Sequence, residues 1–168
     1  MKHLFSLFSI LLCAASLSAE VLFTDNFSAS VGKVLEGYNE WYTPYNGASS
    51  VEITNGLVFP QYAMSDIDNA VLLNGKSGQY QPHHSFAPQS QGSVYVAFML
   101  QPTIVAKSGW FISLRDAYST TTYNYIARIH LSDQGCLGLR FYKTADAVFD
   151  ETMPLNGQNT YLVVLKYT

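Results

Sequence analysis

The chain has 168 residues and a formal net charge of −3, with 12% charged residues against 14% aromatic ones. Its nine Lys and Arg residues form no cluster that could track a phosphate backbone, which speaks against a nucleic-acid partner. Low charge with abundant Tyr, Ser, Thr and Asn suits an extracellular β-protein, because strands favour aromatic and β-branched side chains.

The first element is a leader. Met1-Lys2-His3 is a short basic start, Leu4 to Leu12 is apolar apart from Ser6 and Ser9, and Ala14 to Ala19 is small and weakly polar apart from Leu17. This pattern predicts a signal peptide over 1–19, cleaved after Ala19, and one secreted or cell-surface domain over 20–168. The apolar run is too short to span a bilayer, which takes about 20 residues, so no membrane span is predicted. Leu12 is bulky where lipoprotein processing requires a small residue, which argues against lipid attachment at Cys13. Once the leader is removed Cys136 is the remaining cysteine, and stability must come from the core.

Beyond the leader no stretch has helical periodicity. Period-2 segments appear instead, punctuated by Asn-Gly pairs at 46–47, 55–56, 74–75 and 156–157, residues that tolerate the positive φ of tight turns. The predicted strands are Val21–Thr24, Val51–Thr54, Leu57–Phe59, Ala70–Leu73, Ser93–Gln101, Trp110–Leu114, Tyr125–Leu131, Cys136–Tyr142 and Tyr161–Tyr167. The reading is all-β. Between the first two lies "YNEWYTPYNG", with Tyr38, Trp41, Tyr42 and Tyr45 as either an open platform for sugar rings or packing residues.

Two strands can be read face by face, because alternate side chains point to opposite sides. In Tyr125–Leu131 one face is Tyr125, Ala127, Ile129 and Leu131, and the other carries Ile126, Arg128 and His130. In Cys136–Tyr142 Leu137, Leu139 and Phe141 oppose Cys136, Gly138, Arg140 and Tyr142. The short connection "SDQG" predicts that the two strands pair as a hairpin, which brings Arg128, His130, Arg140 and Tyr142 onto one sheet face. "VYVAFML" (94–100) is apolar on both faces and predicts a central, doubly covered strand. "YLVVLKYT" (161–168) reads as a core strand, so the natural product is expected to continue past Thr168.

The segments "VLFTDNFSASVGKVLEGYNEWY", "VEITNGLVFP", "NAVLLNGKSG", "GSVYVAFMLQ" and "TYLVVLKYT", in that order, resemble the concanavalin A-like (laminin-G-like) lectin and glucanase jelly rolls of secreted bacterial proteins. The resemblance implies an antiparallel two-sheet jelly-roll sandwich, one sheet curved, with its C-terminal strands beyond this chain. It also implies that Trp41 enters the sandwich instead of lying open. Glucanases of this superfamily carry carboxylates in an E-x-D-x-x-E arrangement, one serving as nucleophile and another as acid/base. That arrangement is missing here, since Glu36, Glu40 and Glu52 lack partners at the spacing and Asp150 and Glu151 are adjacent.

Other motifs carry less. Ser30-Val31-Gly32-Lys33 matches S-x-x-K without the helix that motif needs, and His83-His84 has no third metal ligand at a useful spacing. Lectin-like jelly rolls often hold Ca²⁺, for which Asp66, Asp68 and Asp25 are the candidate ligands, although an Asx turn is the simpler account of "DIDN". The candidate ligand-binding group is Arg128, His130, Arg140 and Tyr142, planar donors and an aromatic ring suited to a sugar, set against an ordinary solvated sheet face. The resulting expectation is a non-catalytic glycan-binding module. The alternatives are the leading part of a larger glycoside hydrolase or lyase, and a structural or adhesive spacer.

Overall fold

The computed structural model describes residues 19–43, 51–63, 65–73, 81–102, 108–116, 125–142 and 146–168. Among these residues the chain is all-β, every strand pair is antiparallel, and there is no helix. The strands are β1 (Glu52–Asn55), β2 (Asn69–Leu72), β3 (Val94–Leu100), β4 (Gly109–Arg115), β5 (Tyr125–Leu131), β6 (Leu137–Phe141), β7 (Val148–Phe149) and β8 (Tyr161–Tyr167). They form a pair β1-β2, a pair β3-β8 and a four-stranded sheet in the order β4-β5-β6-β7.

The four-stranded sheet grows from the predicted hairpin. In its turn the Ser132 hydroxyl accepts hydrogen bonds from the backbone N–H groups of Gln134 (3.2 Å) and Cys136 (2.9 Å). Gly135 takes a left-handed φ of 80°, which a residue without a Cβ adopts freely. The turn fixes the register Leu131↔Leu137, His130↔Gly138, Ile129↔Leu139, Arg128↔Arg140 and Ala127↔Phe141.

β5 is the centre of this sheet, and it is buried from Ala127 to Leu131 on both faces. On the apolar face Ala127 and Ile129 form the core with Leu165 of β8. Val96 and Phe98 of β3, Phe111, Ile112 and Leu114 of β4, Leu137 of β6 and Tyr167 of β8 pack around them. The β3-β8 pair therefore covers the apolar side of the larger sheet. Each fully buried aliphatic side chain there contributes about 1.5–3 kcal/mol. A smaller cluster centres on Leu35 and Ile53, both at most 2% exposed. Residues 32–35 run beside β1 there, with Gly32 N–H donating to the Ile53 carbonyl and Ile53 N–H to that of Lys33, each at 2.8 Å.

Three sequence expectations need correction. Val94–Leu100 is not covered along both faces: Val96 and Phe98 turn to the core, while on the other side Tyr95 is 62% exposed, Ala97 is open and only Met99 is half-buried. Val21–Thr24 forms no strand, and the residues after it turn back on themselves. The Asp25 carboxylate accepts from Phe27 N–H at 2.8 Å, and Phe27 adopts a φ of 54°. Leu57–Phe59 is a loop whose Phe59 N–H is held by the Ser65 hydroxyl. The two-residue β7 was too short to show a period in the sequence. The leader up to Ser18, Tyr45 and the Asn-Gly pairs at 46–47 and 74–75 lie outside the described residues. Among the described residues no helix is long and apolar enough to cross a membrane.

Candidate functional site

The polar face of the four-stranded sheet is built by cross-strand register. Arg128 of β5 stands directly opposite Arg140 of β6, and His130 opposite Gly138. On the other flank Trp110 of β4 pairs with His130 and Ser113 with Arg128. Two register shifts between β4 and β5, the first with Phe111 extra in β4 and the second with Ile126 extra in β5, bring Arg115 opposite Tyr125. The Tyr125 ring then receives two guanidinium groups, with the Cζ atoms of Arg115 and Arg128 5.3 and 5.4 Å from its centre. The Trp110 ring lies 5.1 Å from that of Tyr125.

The first half of the chain closes one side. His83 and Tyr42 pair through their backbones, and His83 Nε2 is 3.5 Å from Arg115 Nη1. On the far side the Phe149 ring stands edge-on to His130 at 6.2 Å. It fills the space over Gly138, where an added Cβ would come within 2.6 Å of the ring. The result is a floor with a rim. Arg128 and His130 are each only 8% exposed, whereas Trp110, Arg115, Tyr125 and Arg140 around them are half-buried.

The electrostatics of that floor are unbalanced. Like charges directly opposite on a sheet repel, and a buried charge without compensation costs several kcal/mol. Arg128 Nη2 donates to the Tyr142 carbonyl at 2.7 Å, but Arg128 Nε and His130 Nε2 are buried without a hydrogen-bond partner. All twelve Asp and Glu residues belong to the described segments. None is hydrogen-bonded or ion-paired to Arg128 or His130. Glu40 faces His84, Glu36 accepts from Thr43, Asp68 from Asn26, and Asp150 from Thr152. Burial and then the neighbouring Arg140 charge lower the Arg128 pKa, with Tyr125 acting the other way. The guanidinium nevertheless stays charged at neutral pH.

Burial also lowers the pKa of His130, followed by the charges of Arg128 and Arg140, and that of His83, followed by Arg115. Both histidines thus bind a proton more weakly folded than unfolded. As the pH falls below the ordinary histidine value, the unfolded chain takes up protons that the folded chain refuses, and stability drops. The melting temperature is expected to hold steady above about pH 6.5 and to decline from there toward about pH 5. A melting series across that range checks it, and a rise on acidification would contradict the buried placement of the two rings.

The remaining sequence candidates lie elsewhere. Tyr142 departs from the cluster: its φ of 55° breaks the alternation that the strand pattern predicts, its side chain is 59% exposed, and its phenol lies near that of Tyr167, whose pKa it raises. Only its backbone carbonyl reaches Arg128. Neither does the face resemble a solvated sheet surface, since Arg128 and His130 are enclosed. The Asp25 carboxylate accepts from Phe27 N–H, from Asn39 Nδ2 at 3.0 Å and from Trp41 Nε1 at 2.7 Å, which gives it a structural role. Asp66 and Asp68 both sit at left-handed φ, and Asp68 is bonded to Asn26. Among the described residues no three His, Cys, Asp or Glu side chains converge as a metal would require. Trp41 is half-buried, with its ring 5.9 Å from Phe23, 6.2 Å from Phe27 and 5.5 Å from His84.

Sequence reasoning missed Trp110, Tyr125, Arg115 and His83 as members of the site. Strict alternation assigns Tyr125 to the apolar face, and only the irregularities in the β4–β5 pairing and the fold of residues 81–84 assemble the group. Compared with known proteins, the chain matches no family model, no curated protein and no solved structure.

Proposed function

We propose that this domain is a non-catalytic, secreted β-sandwich module of jelly-roll type that binds a carbohydrate chain. The observation that carries the reading is the polar face of β4, β5 and β6. There the rings of Trp110 and Tyr125 lie together beside Arg115, Arg128 and Arg140. Sugar rings offer apolar C–H faces to aromatic side chains and hydroxyls to planar donors, so rings and guanidinium groups on one face form a matching surface. Glycosidic hydrolysis works through a pair of carboxyl groups flanking the bond, and this face is furnished with Arg, His, Trp and Tyr instead. The leader-like start of the chain supports export. The two-stranded layer over the apolar side of the larger sheet agrees with a sandwich.

Affinity gel electrophoresis of the mature chain in gels cast with a panel of neutral and charged polysaccharides tests the reading. At least one polymer should retard the protein, and Trp110→Ala should weaken that retardation roughly tenfold while the circular dichroism of the sheet is kept. Retardation equal in parent and Trp110→Ala would move the binding surface off this face.

A further inference from the structure

Resting on the carbohydrate reading, we propose that the polar face takes an acidic glycan, whose carboxylate or sulfate oxygens lie between the guanidinium groups of Arg128 and Arg140, beside His130. The first ground is geometry. Residues directly opposite on antiparallel strands have Cβ atoms about 4.5–5.5 Å apart, so the two side chains can bracket one small oxyanion. A guanidinium presents its donors as a planar fork that matches a carboxylate or sulfate edge, which a point charge does not.

The second ground is what the chain withholds. Arg128 is 8% exposed and hydrogen-bonded through Nη2 alone, its Nε is buried without an acceptor, and the same holds for His130 Nε2. Every carboxylate of the chain lies in a described segment and none is paired with either residue. Among the described residues the Arg128 guanidinium has no carboxylate partner, and an oxyanion from outside the chain would supply one. Arg140, half-buried on the rim, is the point of entry. Tyr125, packed against Arg128 and Trp110, supplies with Trp110 the rings against which the rest of the sugar residue lies. Since the whole molecule carries a net charge of −3, attraction to a polyanion is local to this face and sensitive to salt.

The test uses the mature chain and its Arg140→Gln variant, chosen because position 140 is partly open and glutamine keeps a planar donor. Gels contain polygalacturonate, dextran sulfate, neutral laminarin or polyglutamate. The expected result is retardation by at least one acidic polysaccharide that falls roughly tenfold or more in Arg140→Gln and weakens as NaCl is raised. The carboxylated and sulfated arms separate the two sources of the oxyanion. Retardation by laminarin alone would overturn the acidic ligand and leave the carbohydrate reading standing. Retardation by polyglutamate as strong as by the sugars, or by no polymer at all, would overturn both. If Arg140→Gln fails to fold, the parent decides the matter through its salt series, and retardation indifferent to NaCl overturns the proposal.

Discussion

Ile129→Ala is expected to lower the unfolding free energy by about 2–5 kcal/mol, a large part of the roughly 5–15 kcal/mol that holds a domain together. Ile129 is 2% exposed at the middle of the central strand and touches the core from both layers. Truncation removes transfer energy and leaves a void that a strand fixed on both sides cannot close. Its direct cross-strand neighbour Leu139 gives the control, because Leu139 points to the same face but is 39% exposed. It fronts an open apolar cleft of about 630 Å³ between β6, β7 and β8. Leu139→Ala should therefore cost about 1 kcal/mol or less. Urea unfolding of the two variants beside the parent reads the difference. Equal losses would shift the centre of the core from β5 to β6.

Trp41→Ala should be the second large loss, about 3 kcal/mol. The ring touches Phe23, Phe27 and His84, and its indole N–H donates to the Asp25 carboxylate. Removing it opens an aromatic cluster and takes a donor from a carboxylate that organises the Asp25–Phe27 turn. Trp41→Phe keeps most of the ring and drops the hydrogen bond, and should cost about 1 kcal/mol. Thermal melting and polysaccharide retardation of both variants test the assignment. If Trp41→Ala melted like the parent yet lost retardation, Trp41 would be a sugar platform and not a packing residue.

The hairpin of β5 and β6 was legible in the sequence because two physical signals agreed. The side chains alternate from Ala127 to Leu131 and from Leu137 to Phe141, and "SDQG" has a serine to accept turn hydrogen bonds and a glycine for the positive φ. Alternation then gave the pairing of Arg128 with Arg140. It failed wherever the backbone departs from a flat ribbon. The left-handed φ of Tyr142 turns its side chain out of the alternation, and the register shifts between β4 and β5 bring Arg115 and Tyr125 onto a face that counting in twos denies them.

Burial was harder to read than direction. A strand with Arg128 and His130 on one side looks like the exposed half of a sheet, whereas "VYVAFML" looks buried on both. The structure reverses the two, because covering depends on which distant segments arrive. His83 comes to Arg115 from thirty-two residues away, a placement that no local pattern encodes.

The division of labour along β5 bears on how this chain can vary. Ala127 and Ile129 answer to the β3-β8 layer, and Arg128 and His130, alternating with them, answer to the opposite surface. Substitutions on the two sides share few neighbours, and energetic effects of sites without common partners add nearly independently. If the polar face binds a glycan as proposed, drift or selection at Trp110, Arg115 and Arg140 can therefore retune what it recognises without eroding the interior. A combinatorial library confined to those three rim positions would sample new specificities on an unchanged scaffold, with Gly138 held fixed because the Phe149 ring leaves no room for a side chain there.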